Sequence, residues 1–233
     1  MKVAVLNYTG TVGKTTISAH LLSPRMNNAP IYAIESINET AEGVGLDVEK
    51  IKGDKFRDLF KKLMMLDDAI IDVGASNIEG FLDGMVKFED SHLEFDYFVI
   101  PVTSGSKEQK ETISMISTLA DFGISAEKIR IIFNRVEADV SEEFAPLLNF
   151  VKKSKACIAN PEAAIFENEL FDLLGVKKMT ITALLADEAD YKAKARQEND
   201  NKQKSHYSDM HVMKSLAKSV NRNLDAVFVV LFA

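Results

Sequence analysis

At 233 residues and 46% hydrophobic, the chain has enough apolar material for a substantial core, and its length favours one large domain over two small ones. A formal charge of −7 excludes a surface that is basic all over, and no apolar run approaches the roughly 20 residues that span a bilayer. The single cysteine, Cys157, cannot close an internal disulfide, and the opening shows no charged, apolar and small-residue leader, so a reducing cytoplasm is the expected location.

In chain order, short apolar runs alternate with longer amphipathic ones. "KVAVLNY" (2–8), "APIYAIES" (29–36), "DDAIIDVG" (67–74), "FDYFVIPV" (95–102), "KIRIIFNRV" (128–136) and "KACIANP" (155–161) are rich in Val, Ile, Phe or Tyr, are bounded by turn or polar residues, and read as buried strands. Between the fourth and fifth, residues 105–123 place Ile113, Ile116, Leu119 and Ala120 at helical spacing, with Gly123 as the stop. This alternation predicts an α/β fold of the P-loop NTPase type: a mostly parallel sheet with helices on both faces and ligands held beyond the carboxyl ends of the strands. Residues 1–190 form the nucleotide-binding domain in this reading, with 191–233 packed on it as a basic linker, a helix and an apolar tail.

That last segment differs in composition. Between 192 and 222 stand eight basic and three acidic residues, a local charge of +5, so the remainder carries −12. "QENDNKQKSHYSD" (197–209) reads as a polar loop or linker. Met210, Met213, Leu216, Ala217 and Val220 then share one helical face, either as a solvated helix packed on the sheet or as part of a patch that contacts DNA non-specifically. The closing "AVFVVLFA" reads as a final buried strand or docking tail, or alternatively as a peripheral membrane or partner contact.

The most informative stretch is "LNYTGTVGKTTISAHLL" (6–22). The pattern G-x-x-x-x-G-K-[ST] would need glycine where Tyr8 stands, but Gly13, Lys14 and Thr15 supply its second half. A strand feeding this loop and a helix starting near Lys14 would bring the backbone N–H groups of Gly10, Thr11, Val12, Gly13 and the following residues onto one anionic site. Lys14 would reach the β and γ phosphates; the hydroxyl of Thr15, beside Thr16, would enter a magnesium shell. The alternative is a glycine turn capping an ordinary helix. Asp72, closing the strand "AIIDV", places a carboxylate at a strand end, where it can orient a magnesium-bound water or cap a turn. Lys14 and Asp72 are the catalytic candidates, and Thr15 and Asp72 the metal candidates.

Taken together, "TGTVGKTT", "IIDVG", "FVIPVTSGSKEQKET" and "IIFNRV" resemble the ParA/MinD superfamily of deviant Walker ATPases, most closely the plasmid-stability StbB-like members, over residues 1–175. The resemblance implies ATP or ADP with Mg2+ as ligands. It implies that Asn134, beside Arg135, reads the adenine, whereas without it Asn134 reads equally well as a turn cap. It puts Pro161 and Glu162 at the adenine wall. It further implies a nucleotide-controlled association with a cognate DNA-binding partner protein or a second copy, in plasmid stability, partition or positioning.

Two departures matter. The family's loop reads K-G-G-x-G-K-[ST], whereas Thr9 stands at its signature lysine and Thr11 at its second glycine. Its D-x-D after the second strand is Glu35, Ser36 and Ile37 here, and Ile37 cannot orient water; Glu35 and Asn38 are the candidate substitutes. Losing both groups should slow hydrolysis more than binding. The expectation is therefore a slow ATPase switch or, alternatively, a hydrolysis-deficient nucleotide-binding adaptor acting through its C-terminal region.

Overall fold

The structure is a computed structural model that describes residues 1–35, 49–51 and 55–233. Ser36, Ile37 and Asn38 lie outside the described residues. In chain order, β1 (Lys2–Val5) leads through a loop into α1 (Lys14–Thr16). This continues as π-helical turns over Ile17–Leu22 and closes as α2 (Ser23–Arg25). There follow β2 (Ile31–Ile34), β3 (Glu49–Ile51), α3 (Phe56–Leu63), β4 (Ala69–Val73), α4 (Ile78–Lys87), β5 (Tyr97–Val102) and α5 (Ser106–Asp121). The remainder is β6 (Ile129–Val136), α6 (Val140–Glu143), α7 (Ala145–Ser154), β7 (Ala164–Phe166), α8 (Leu170–Lys177), α9 (Ile181–Ala186), α10 (Tyr191–Gln197) and α11 (Asn201–Leu231).

Among the described residues the strands form one sheet in the order β3-β2-β4-β1-β5-β6-β7, with every pair parallel. Parallel strands need crossovers over the sheet faces, which is why the strands read as continuous apolar runs instead of alternating ones. Side chains on one face, including Ala4, Leu6, Ile71, Ile100 and Phe133, pack beneath α3, α4, α5 and α7. The other face, with Val3, Val5, Ile70, Val99 and Ile132, packs beneath the helical run 14–25 and α8, α9 and α11. α5 ends as its sequence suggests, with Gly123 at φ 81, a left-handed value that favours glycine.

Three expectations are corrected. The strand assigned to 155–161 makes a single parallel bridge, Arg130 with Ile158; a turn at Asn160–Ala163 then shifts the paired strand to β7. The linker assigned to 197–209 is helical from Asn201, capped by the Asp200 side chain, which accepts the Gln203 N–H at 2.8 Å. The closing apolar run is not a strand; it forms the last turns of α11 and docks on the sheet, where Leu224, Val227 and Leu231 continue the buried stripe begun by Met210 and Met213. Helical spacing therefore holds from 210 to 231, and β-branched content alone misreads the end. The sequence reading also omits β3, a three-residue edge strand too short to leave a pattern. Among the described residues, no helix is long and apolar enough to cross a membrane.

α11 is bolted to the helix that follows the glycine loop. Arg25 donates from Nε and Nη2 to Asp225 Oδ1 at 2.9 and 2.6 Å, and from Nη2 to the Asn221 carbonyl and side-chain oxygens at 3.1 and 3.0 Å. Its Nη1 meets the carbonyls of His20 and Leu21 at 2.9 and 3.2 Å, satisfying backbone acceptors of the π-helical turns.

Candidate functional site

The site lies where the parallel strands end. Register places Val5 of β1 opposite Asp72 of β4, and Ala33 of β2 opposite the same Asp72, so the carboxylate projects beside the point where the loop leaves β1. Gly10, Gly13, Lys14, Thr15, Glu35 and Asp72 are among the residues lining a cleft of about 340 Å³ there.

The loop is held from below. Asn7, fully buried, donates from Nδ2 to the Pro101 carbonyl at 2.8 Å and to Thr112 Oγ1 at 2.7 Å, while its Oδ1 accepts the Thr9 N–H at 3.1 Å. The Thr9 hydroxyl donates to the Glu111 carboxylate on α5. The Lys14 ammonium, 5% exposed, donates to the Thr9 carbonyl at 2.8 Å and to the Asn7 carbonyl at 3.3 Å, across the loop it belongs to. Gly13 sits at φ 86, and a Cβ added there would come within 2.4 Å of Asn134 Nδ2, so the position needs glycine for both conformation and space.

Thr15 Oγ1 donates to Asp72 Oδ2 at 2.6 Å. Asp72 is 4% exposed, and burial raises its pKa above the usual carboxylate value, opposed by the Thr15 hydrogen bond and the Lys14 charge. A hydroxyl and a carboxylate in contact are hard oxygen donors. This set suits Mg2+ held by one or two protein oxygens, with water and phosphate completing the shell, rather than an all-protein cage.

Asn134, expected to face a base, lines the cleft end beside Gly13 and Thr16; it is 6% exposed and donates from Nδ2 to the Val12 carbonyl at 2.9 Å. Side chains of β6 alternate between the two faces up to Asn134, which takes the face of Ile132, and the bulge follows it, between Asn134 and Val136, with Arg135 at φ 56. Arg135 lines the cleft, while Asn134 braces the loop. Pro161 does not reach the site: it lies in the exposed turn that precedes β7, and the residues brought to the cleft end are Phe166, Glu167 and Asn168, which close and follow that strand. The sequence reading missed Asn7, Glu111 and Phe166. Of these only Asn7 carries a local signal, as a polar residue at the end of an apolar strand.

A parallel sheet with a glycine loop, lysine and threonine at the end of its central strand, and an aspartate on the neighbouring strand, defines a P-loop-type α/β fold. The same fold is found in MinD of the MinC:MinD cell division protein complex of Aquifex aeolicus, at a TM-score of 0.57 and 16% identity, over 80% of this chain and 88% of that one. Apo McdA of Cyanothece matches at a TM-score of 0.55 and 13% identity, over 99% and 98% of the two chains. A McdA variant in complex with ATP matches at a TM-score of 0.50 and 14% identity, over 94% and 95%. No protein-family model matches the sequence, and no curated protein does.

Proposed function

We propose that this chain is a ParA/MinD-type nucleotide switch that binds ATP or ADP with Mg2+, hydrolyses ATP slowly, and acts in positioning or partition. The observation that carries the reading is the convergence of Lys14, Thr15 and Asp72 on one cleft, with the Thr15–Asp72 contact at 2.6 Å. Lys14 would turn from the loop carbonyls to the phosphates, and Thr15 and Asp72 would hold the metal, whose contribution is to neutralise phosphate charge. The finer assignments rest on sequence order: a plasmid-stability StbB-like role, a cognate DNA-binding partner, a homodimer, DNA contact through 192–222, a peripheral membrane contact and a cytoplasmic location. MinD is seen with MinC in the Aquifex complex, which supports looking first for a protein partner.

One observation favours the second reading, an adaptor that holds nucleotide without turning it over. Thr9 stands where the resemblance places a lysine, and its hydroxyl is engaged by Glu111, so an acidic group and not a basic one faces that position. Calorimetric titration of ATP and ADP with Mg2+, alongside turnover, tests both readings. Lys14→Ala should weaken ATP binding at least about tenfold, the loss of one charge-assisted contact. Unchanged affinity would refute the phosphate-loop reading, and brisk turnover by the isolated chain would refute slow hydrolysis.

A further inference from the structure

Exposed apolar side chains gather at one end of the molecule. Among the described residues nine large apolar side chains are exposed, and six of them lie where the strands begin, at the opposite end from the phosphate cleft. Met64 and Met65 follow α3 just before β4, Val86 is in the last turn of α4, and Leu93 is in the turn that leads into β5. Ile158 bridges to Arg130 at the start of β6. Val229 is in the last turns of α11, whose Phe232 ring lies 4.8 Å from that of Tyr97 at the start of β5. Exposed apolar residues scattered singly need no explanation; six of nine at one end do.

The same end carries segregated charge. The turn before β5 holds Glu89, Asp90, Glu94 and Asp96 and no lysine or arginine. Glu94 pairs with Lys2 at 2.8 Å and Asp96 accepts the Lys2 N–H at 2.7 Å, whereas Glu89 and Asp90 are exposed and make no ion pair among the described residues. Beyond β5, α7 ends on Lys152 and Lys153 and is followed by Lys155, all three exposed and likewise without an ion pair among the described residues. β5 pairs with β6 and α7 packs on α5, so the acidic and the basic group flank one end of one sheet. An open concavity of about 640 Å³, lined by Asp96, Tyr97, Glu127 and Arg130 among others, indents that end. Its remaining exposed charges, among them Lys61, Lys87, Asp67 and Glu127, are of both signs.

We propose that this end is where a second copy of the chain docks, as a two-fold dimer in which the Glu89–Asp90 turn of each copy meets Lys152 and Lys153 of the other, with the exposed apolar side chains buried between them. In a two-fold interface the same patch is used twice, so an acidic half that falls on a basic half does so at both ends of the contact. A nucleic acid or an anionic lipid surface would be repelled by the acidic half, and a uniformly basic partner by the lysines. A partner that carries both signs in matching order satisfies both halves, and the chain itself is such a partner. Apolar residues enclosed by polar ones are the ordinary anatomy of a protein interface, and opposed charge fixes its register. The face lies away from the cleft, so the dimer forms without nucleotide and the proposal stands apart from the nucleotide-binding reading.

The test is analytical ultracentrifugation of the full chain without nucleotide. A reversible dimer should form and weaken as salt rises from about 0.05 M to about 0.5 M, because its charge pairs are screened. Glu89→Lys with Asp90→Lys, and separately Lys152→Glu with Lys153→Glu, should each weaken the dimer at least about tenfold, since like charge then meets like at both ends of the interface. Mixed in equal amounts, the two double variants should dimerise again, now with each other, a rescue that damage to either fold would not produce. Leu93→Asp should also weaken the dimer while thermal unfolding of the monomer stays unchanged, because Leu93 is 61% exposed in the single chain. Lys14→Ala should dimerise as the unmodified chain does. A chain that stays monomeric at every concentration, a dimer indifferent to both charge reversals, or a mixture of the two variants that fails to associate would overturn the proposal. So would a dimer that requires ATP or is lost in Lys14→Ala, which would move the contact to the cleft and leave the nucleotide-binding reading standing.

Discussion

His20 offers a quantitative check on how the glycine-loop helix is buried. The ring lies within the π-helical turns, 4% exposed, with Nδ1 placed to accept the Ile181 N–H at 3.5 Å. Burial pushes its pKa down from 6.5 to about 4. The folded chain therefore keeps the imidazole neutral while the unfolded chain binds a proton below pH 6.5. Above 6.5 the two states match and stability is flat in this group. As pH falls from 6.5 towards 4 the unfolded state gains protons first and stability is lost; below about 4 both states are protonated and the loss levels off. The full loss is about 3 kcal/mol, and about 2 kcal/mol of it should appear by pH 5. Urea denaturation of the unmodified chain and of His20→Gln between pH 7.5 and 5 measures it. The variant's overall stability can differ, but its dependence on pH should be shallower by about 2 kcal/mol over the interval from 6.5 to 5. Parallel curves for the two proteins would show that His20 is hydrated or protonated in the folded state, and the buried packing of this helix against α8 and α9 would be wrong.

Gly13→Ala should cost about 2–4 kcal/mol in the same denaturation experiment, from a left-handed alanine plus the broken Asn134–Val12 bond, and a cost under about 0.5 kcal/mol would contradict the close approach of Gly13 to Asn134. Thr15→Ala and Asp72→Asn should lower ATP affinity in the presence of Mg2+ by more than in its absence, since both are assigned to the metal and not to the base; equal losses in the two conditions would remove them from the metal shell. Asp72→Asn should at the same time leave the chain as stable or more stable at neutral pH, because the aspartate's raised pKa means that its charged form is disfavoured by burial.

The order of strands 2–8, 29–36, 67–74, 95–102 and 128–136 was legible from composition, because a strand covered on both faces must be apolar along its whole length. The same reasoning located the glycine loop at the end of the first strand, since loop, lysine and threonine are contiguous and their spacing is a local property. Sequence also marked Asp72, one residue from the end of its apolar run. What sequence could not decide is which side chains meet across the sheet. That Asp72 lies opposite Val5, and so reaches Thr15, follows from β4 inserting beside β1, a choice made by packing of the whole sheet. That Asn134 braces Val12 follows from the glycine loop closing onto the end of β6, a contact across 122 positions of sequence that leaves no periodic trace. The turn at Asn160–Ala163 moved the site's rim from Pro161 to Phe166, at the far end of β7, a shift that no local pattern records. The end of the chain was misread for a related reason. Val227, Val229 and Val230 favour a strand by propensity, but the stripe that starts at Met210 finds an apolar sheet face to cover, and burial along that stripe outweighs the small preference of each β-branched residue. Local chemistry is written along the chain; contacts between distant segments are settled only when the sheet closes and each buried polar group must find its partner.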